Sequence, residues 1–291
     1  MFDIGINTNN ESGKDFSEIC NNIKQCGFGS IMVALIRGKE EQQLEYASKS
    51  GLKIAYVHLD NLSTNDMWVK GFAHDNQLVV YKKQIELCAK FGVKIAILHP
   101  TLGDPNTLVI QPNEFALGEF RELVDFAESK QVKIALENLD NNSLIHFRYL
   151  LDNIKSSNFG FCYDVGHHNL YSKNVDLLSL YGDRLIAVHL HDNYGDYEYG
   201  DDYSHDLHMV PFDGNVDYAN VIQELKECKY KGVLMLEVHK ALYAQSRTYV
   251  NMTDLEFLNK AKHVAERLRG LLANDTIYQP LTNWLLWRDY E

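Results

Sequence analysis

His58, His99, Glu137, Asp164, His189 and Glu237 each stand at the end of a short apolar run in a chain of 291 residues. Imidazoles and carboxylates are the donors that hard and borderline divalent ions take. Two further groups of the same chemistry join them: His167, three residues after Asp164, and Asp206-Leu207-His208 in a long polar stretch. A lone histidine at such a position is ordinarily a hydrogen-bonded rim residue, and a lone acid often caps the following helix. Six in succession point instead to a metal site. His74, His146 and His263 lie in loop or helix patterns and read as structural. His168, His191, His205 and His239 neighbour better candidates and are expected at most to support them from behind.

The elements that must position these residues repeat along the chain. Leu52-Lys53-Ile54-Ala55, Val93-Lys94-Ile95-Ala96 and Val132-Lys133-Ile134-Ala135 open apolar runs spaced 41 and then 39 residues apart, with a weaker echo at Leu185-Ile186-Ala187-Val188. Each run is too short for a helix and reads as a buried strand. Between them lie helical patterns, from Gln77 to Phe91 and from Asn113 to Lys130, and Gly51 and Gly92 fall where helices should end. A period of this length suits a helical solenoid or a barrel, and the strand between each helix pair decides for the barrel. Eight strands are expected, at 2–7, 29–35, 52–58, 93–99, 132–138, 159–164, 184–191 and 232–238. A last helix runs from about Thr253, a suitable N-cap, to Leu272. The fold class is therefore α/β, a single-domain (β/α)8 TIM barrel over 1–272 with a tail at 273–291. No Gly-rich dinucleotide fingerprint follows the first strand, which argues against a doubly wound sheet. Trp284, Leu285, Leu286 and Trp287 in the tail could cover the barrel or a partner subunit, so a homo-oligomer stays open.

Composition narrows the function classes. Hydrophobic residues at 45% and charged residues at 23% are a globular balance. Five cysteines, an odd number without a C-x-x-C pair, argue against a disulfide framework. The start has no basic region followed by an apolar run, and no apolar stretch approaches a membrane span. A cytoplasmic location is expected. The formal charge of -12 has the wrong sign for binding a phosphate backbone, so nucleic acid is not the expected partner.

At the strand ends the chain resembles the xylose-isomerase-like barrel superfamily. The resemblance is carried by Ala135-Leu136-Glu137-Asn138, Tyr163-Asp164-Val165-Gly166-His167, Val188-His189-Leu190-His191-Asp192, Asp206-Leu207-His208, Pro211-Phe212-Asp213-Gly214-Asn215-Val216-Asp217 and Leu236-Glu237. It covers strands 3 to 8. That group holds sugar and sugar-phosphate isomerases and epimerases together with endonuclease IV. Resemblance to the ketose 3-epimerases implies one Mn²⁺ or similar ion on Glu137, Asp164, His189 and Glu237. Resemblance to endonuclease IV implies three Zn²⁺ ions on those four with His58, His99, His167, Asp206 and His208. Co²⁺ or Mg²⁺ are further candidates for the ion.

Charge arithmetic separates the two. One divalent ion on a set with three carboxylates leaves about -1, which suits a neutral sugar and a carboxylate base. Three ions on a set with four carboxylates leave about +2, which suits a phosphodiester. The stretch from Asp192 to Asp206 carries six acids and no Lys or Arg, and such a loop would repel a DNA backbone. Its tyrosines, Tyr194, Tyr197, Tyr199 and Tyr203, could stack on a sugar ring or simply pack the loop. The expected function is thus a divalent-metal-dependent isomerase or epimerase of a sugar, sugar phosphate or polyol. Glu137 and Glu237 would move the proton and His167 would hold a substrate oxygen. The alternative is an endonuclease-IV-like phosphodiesterase acting on abasic DNA.

Overall fold

The computed structural model describes residues 2–10, 14–102, 110–195, 206–240 and 249–274. Eight strands alternate with helices: β1 (Ile4–Asn7), α1 (Phe16–Gln25), β2 (Ser30–Ala34), α2 (Glu40–Lys49), β3 (Lys53–His58), α3 (Phe72–Lys90), β4 (Ile95–Leu98), α4 (Glu114–Ser129) and β5 (Lys133–Glu137). The series continues with α5 (Asn141–Asn153), β6 (Phe159–Asp164), the short α6 (Val165–His167) and α7 (Leu177–Tyr181), β7 (Leu185–Leu190), α8 (Tyr218–Glu227), β8 (Leu234–Leu236) and α9 (Asp254–Ala273). Every strand pairs in parallel with its neighbours, and β8 closes on β1 through Ile4↔Leu234 and Ile6↔Leu236. This is a TIM barrel, with each expected strand present and trimmed by a residue or two at most of its ends.

Local chemistry sets the boundaries. Asp15, Asn113, Asp140 and Thr253 each accept a hydrogen bond from a backbone N–H in the first turn of the helix that follows. Gly51 and Gly92, at φ 74° and 72°, turn the chain out of α2 and α3 into the next strand. Helix α3 starts at Phe72 rather than Gln77, five residues before the apolar periodicity becomes regular. Thr253 forms a full capping box with Glu256 at the head of α9. Thr253→Ala should therefore lower stability by about 1 kcal/mol in a denaturant titration, with no change of fold.

Two apolar layers hold the barrel. The larger packs the helices on the outside of the sheet, where Phe120, Leu123, Val124 and Ala127 of α4 are all buried. The smaller fills the barrel interior with Met32, Ala55, Tyr56, Ile97, Ala135, Cys162, Ala187, Val233 and Met235. All five cysteines are unpaired. Among the described residues no helix is long and apolar enough to cross a membrane.

Candidate metal centre

Side chains alternate across a strand, so the residue two places beyond an interior residue also faces inward. Tyr56, Ile97, Ala135, Cys162, Ala187 and Met235 all belong to the interior layer. Two residues on from each stand His58, His99, Glu137, Asp164, His189 and Glu237, one step nearer the C-terminal mouth of the barrel. Pairing across β6 and β7 sets Asp164 directly beside His189. The strand period itself converges six imidazole and carboxylate side chains at the end of the barrel where this fold carries its sites.

Glu137, Asp164, His189 and Glu237 form the central group, all buried, with ligand atoms within 4.8 Å of one another. Nδ1 of His189 lies 2.9 Å from Oε2 of Glu237, 3.2 Å from Oε1 of Glu137 and 3.6 Å from Oδ2 of Asp164. Atoms bound about 2.0–2.2 Å from one tetrahedral ion lie about 3.3 Å apart, the same spacing. Yet His189 Nδ1, Asp164 Oδ2 and Glu237 Oε2 are buried without a hydrogen-bond partner. Buried polar atoms are almost always paired, and three orphans aimed at one another fit a shared divalent ion.

Two more groups flank this one. Nε2 of His58 lies 3.0 Å from Nε2 of His99, and each lies 3.3 Å from Oε2 of Glu137. On the other side, Oδ2 of Asp206 is 3.2 Å from His167 Nε2 and 3.1 Å from His208 Nε2. The ligand atoms of His167, His191, Asp206 and His208 all fall within 4.8 Å of one another. Three of these imidazoles are oriented by backbone carbonyls, which only accept. Nδ1–H donates to Leu59 O from His58 (2.9 Å), to Asn138 O from His167 (3.0 Å) and to Glu237 O from His208 (2.8 Å). In the neutral ring that leaves the lone pair on Nε2, facing the group, which is the arrangement of a metal ligand.

Electrostatics bind the groups together. Burial prevails at His99 and lowers it below the ordinary imidazole value, whereas at the residues that follow the opposite charges beside them win. Burial raises Glu237, yet His189 draws it down to about 2. Burial lowers His208, yet Asp206 and Glu237 bring it up to about 9. His167 and His189 are raised well above the ordinary imidazole value against the same desolvation, His167 by Asp164 and Asp206, His189 by Cys162, Glu237 and Glu137. Glu137 and Asp206 are held well below the carboxylate range despite burial, chiefly by His189 and by His208 respectively. His239 goes the other way, to about 3, through burial and the neighbouring His208.

All nine residues singled out from the sequence are thus brought to one mouth. The structure adds three that sequence reasoning set aside or passed over. His191, expected at most to support its neighbours, is fully buried within the outer group, with Nε2 2.9 Å from Asp164 Oδ1. Its signal was the H-x-H spacing at the end of β7, which puts both rings on one face. Asn138 clamps Asp164, accepting from its N–H at 2.8 Å and donating to its carbonyl at 2.9 Å. Asp192 is the anchor of the 212–216 turn, accepting from the N–H groups of Phe212 at 2.9 Å and Val216 at 3.0 Å. Both nitrogens of His167 are engaged, one by Asn138 and one by Asp206, so a substrate oxygen there would have to displace Asp206. His74 and His146 keep structural roles, His146 with its ring nitrogens on Asn142 O and Ile110 O. Residues 196–205, with Tyr197, Tyr199, Tyr203, His205 and most of the loop acids, and the tail from 275 lie outside the described residues.

Comparison with known proteins agrees with this architecture. An uncharacterised protein from Sinorhizobium fredii, y4fM, is 30% identical over 203 residues, covering 66% of this chain and 60% of that protein. An inosose isomerase from Bacillus subtilis is 23% identical over 175 residues, covering 58% of this chain and 63% of that enzyme. The matches therefore span less than two thirds of either relative. Among solved structures, the D-psicose 3-epimerase of Clostridium cellulolyticum H10, crystallised with D-tagatose, superposes with a TM-score of 0.72 at 15% identity, over 94% of this chain and 99% of that one. The family profile described as xylose isomerase-like TIM barrel matches residues 20–261, and the chain belongs to that family.

Proposed function

We propose that this protein is a divalent-metal-dependent isomerase or epimerase of a sugar or polyol. The observation that carries the reading is the convergence of two carboxylates from different walls of the barrel, Glu137 from β5 and Glu237 beyond β8, on one nitrogen of His189. An ion held by Glu137, Asp164, His189 and Glu237 would polarise a substrate carbonyl and acidify the adjacent C–H. Glu237 and Glu137 then supply what proton transfer needs: two buried carboxylates from different walls, held below the ordinary carboxylate range by His189 in the metal-free protein and kept ionised by the ion when it is bound. One removes the proton from carbon, and the other returns a proton to the opposite face for epimerisation. Delivery to the neighbouring carbon gives aldose–ketose isomerisation instead. His58 and His99, beside Glu137, are placed to hold substrate oxygens, while His167 belongs with the outer group. The inosose isomerase relative and the epimerase fold neighbour support this class of substrate. A screen of ketoses and inositol-like polyols with Mn²⁺, Co²⁺, Mg²⁺ and Zn²⁺ tests it; conversion of at least one is expected.

One observation favours a second reading. His58, His99 and Glu137 are spaced as ligands in their own right, which makes three groups and suits the three-zinc phosphodiesterase. Cleavage of duplex DNA at an abasic site, without conversion of any polyol, would establish that reading instead.

Metal loading should also be a proton exchange. Without an ion, His208 titrates near 9 against an ordinary 6.5, so at pH 7 it is protonated and must lose that proton to bind. A raised histidine contributes stability that is complete below about 6.5 and is lost as pH rises through about 9. The metal-free protein should therefore soften over that window, and loading at pH 7 should release protons. Calorimetry in buffers of different ionisation enthalpy reads the protons directly; a heat independent of buffer would contradict the assignment.

A further inference from the structure

The apolar repeat that marks the strands carries a lysine in each copy, Lys53, Lys94 and Lys133, and Lys231 stands shortly before β8. These residues lie at the N-terminal end of the barrel, opposite the central group. Lys53 and Lys133 come two residues before Ala55 and Ala135 of the interior layer, so alternation turns both side chains inward at this mouth. Lys53 is answered by Asp3 at 2.7 Å. Lys94, Lys133 and Lys231 are not. With Lys229 they line a cavity of about 810 Å³, and among the described residues none of the four forms an ion pair. A chain with 28 basic and 40 acidic residues thus sets four lysines against two acids, Glu128 and Asp183, in one recess. Tyr230, also in its lining, is buried, with its hydroxyl donating to Val233 O at 2.9 Å and 3.0 Å from the hydroxyl of Tyr56. Tyr56 belongs to the interior layer, and that packed layer separates the recess from the central group.

The helix ends around the recess carry a second signal. Helices α1, α2 and α3 leave their last turn through Gly27, Gly51 and Gly92, at φ 81°, 74° and 72°. At the same position after α4 and α8 stand Gln131 at 59° and Lys229 at 53°. Glycine takes this left-handed state freely and other residues take it at a cost. Both exceptions line the cavity, which is where retained strain marks a role for the side chain.

We propose that this cavity is a second ligand site, for a phosphorylated small molecule. Lysine ammonium groups are compact charges suited to phosphate oxygens, and the surplus of two positive charges matches a phosphate dianion. The volume exceeds what a bare phosphate fills and falls in the range of small-molecule sites. Ile95, Leu185 and Ile186 give the body of such a ligand an apolar wall. The inference is independent of the chemistry assigned to the central group.

Titration of the metal-loaded protein with inorganic phosphate, ADP and glucose 6-phosphate tests this, read by calorimetry and by lysine acetylation with mass spectrometry. A single molecule per chain is expected to bind and to shield Lys94, Lys133, Lys229 and Lys231. Lys83 and Lys173, exposed elsewhere on the barrel, should stay reactive. The tightest probe tells a nucleotide from a sugar ester. Lys133→Gln and Lys229→Gln should each weaken binding about tenfold. Both side chains are exposed, and circular dichroism checks that the variants fold. Lys229→Gly should lose the same affinity while the melting temperature rises by about 2 °C, because it relieves the backbone and removes the contact together. An anion bound instead to an ion at the opposite mouth would persist in these variants and leave the four lysines reactive, which would overturn the proposal. Absence of binding, or equal shielding by sulfate at the same ionic strength, would overturn it too.

Discussion

Glu237→Gln is expected to fold as the wild type does and to lose about 10²–10⁴-fold in turnover. The substitution preserves shape and volume and exchanges one carboxylate oxygen for an amide. Glu237 is 7% exposed, and its structural contacts run through the backbone: its N–H donates to Leu190 O at 3.2 Å and its carbonyl accepts from His208 Nδ1 at 2.8 Å. Those contacts survive. What is lost is the anionic oxygen 2.9 Å from His189 Nδ1, which is both a ligand of the central group and one of the two proton carriers. In the metal-free protein the imidazolium of His189 draws the Glu237 carboxyl to about 2; in the loaded protein the ion would take over that role, and the amide can replace neither the ligand nor the base. Circular dichroism and the steady-state rate together check the expectation; turnover retained in a folded variant would remove Glu237 from the mechanism.

Removing the ions is expected to cost stability as well as activity. Glu137, Asp164 and Glu237 are buried side by side around His189, and a carboxylate taken out of water is tolerated only when its charge is compensated. An ion present at 100 to 1,000 times its dissociation constant stabilises the folded state by about 3–4 kcal/mol. For a domain of this size that is about 5–7 °C in melting temperature. A chelator should produce that drop, and re-addition of the ion should reverse it. A melting temperature indifferent to chelation would mean that the orphaned atoms of Asp164, His189 and Glu237 hold no ion.

The fold and most of the site were legible because both follow from one short period. A buried parallel strand shows in the sequence as an uninterrupted apolar run, and the residue that ends it on the inward face is fixed by alternation. That is why His58, His99, Glu137, Asp164, His189 and Glu237 could be placed from sequence. His191 obeys the same rule, yet it was discounted because His189 two residues earlier already filled the role of ligand. Asp192 was counted among the acids of a charged loop. In the structure it is buried and raised to about 6 by desolvation, with the backbone of residues 20 and more positions later folded around it. Contacts across such a separation leave no local trace. The same holds for Arg37, whose Nε donates to the buried Asp60 at 2.6 Å, and for the hydrogen bonds by which Asn138 locks β5 to β6. The tyrosines and acids between 196 and 205, which in the sequence favour a neutral substrate, lie outside the described residues.

Turnover in D₂O tests the central claim most directly. Metal-loaded protein is incubated with the ketoses and polyols it converts, and the product is read by NMR and mass spectrometry. Proton transfer through Glu137 and Glu237 predicts solvent deuterium on the carbon that changes configuration or oxidation state. Conversion with no deuterium incorporated would mean that hydrogen migrates directly between carbons, and would contradict the account.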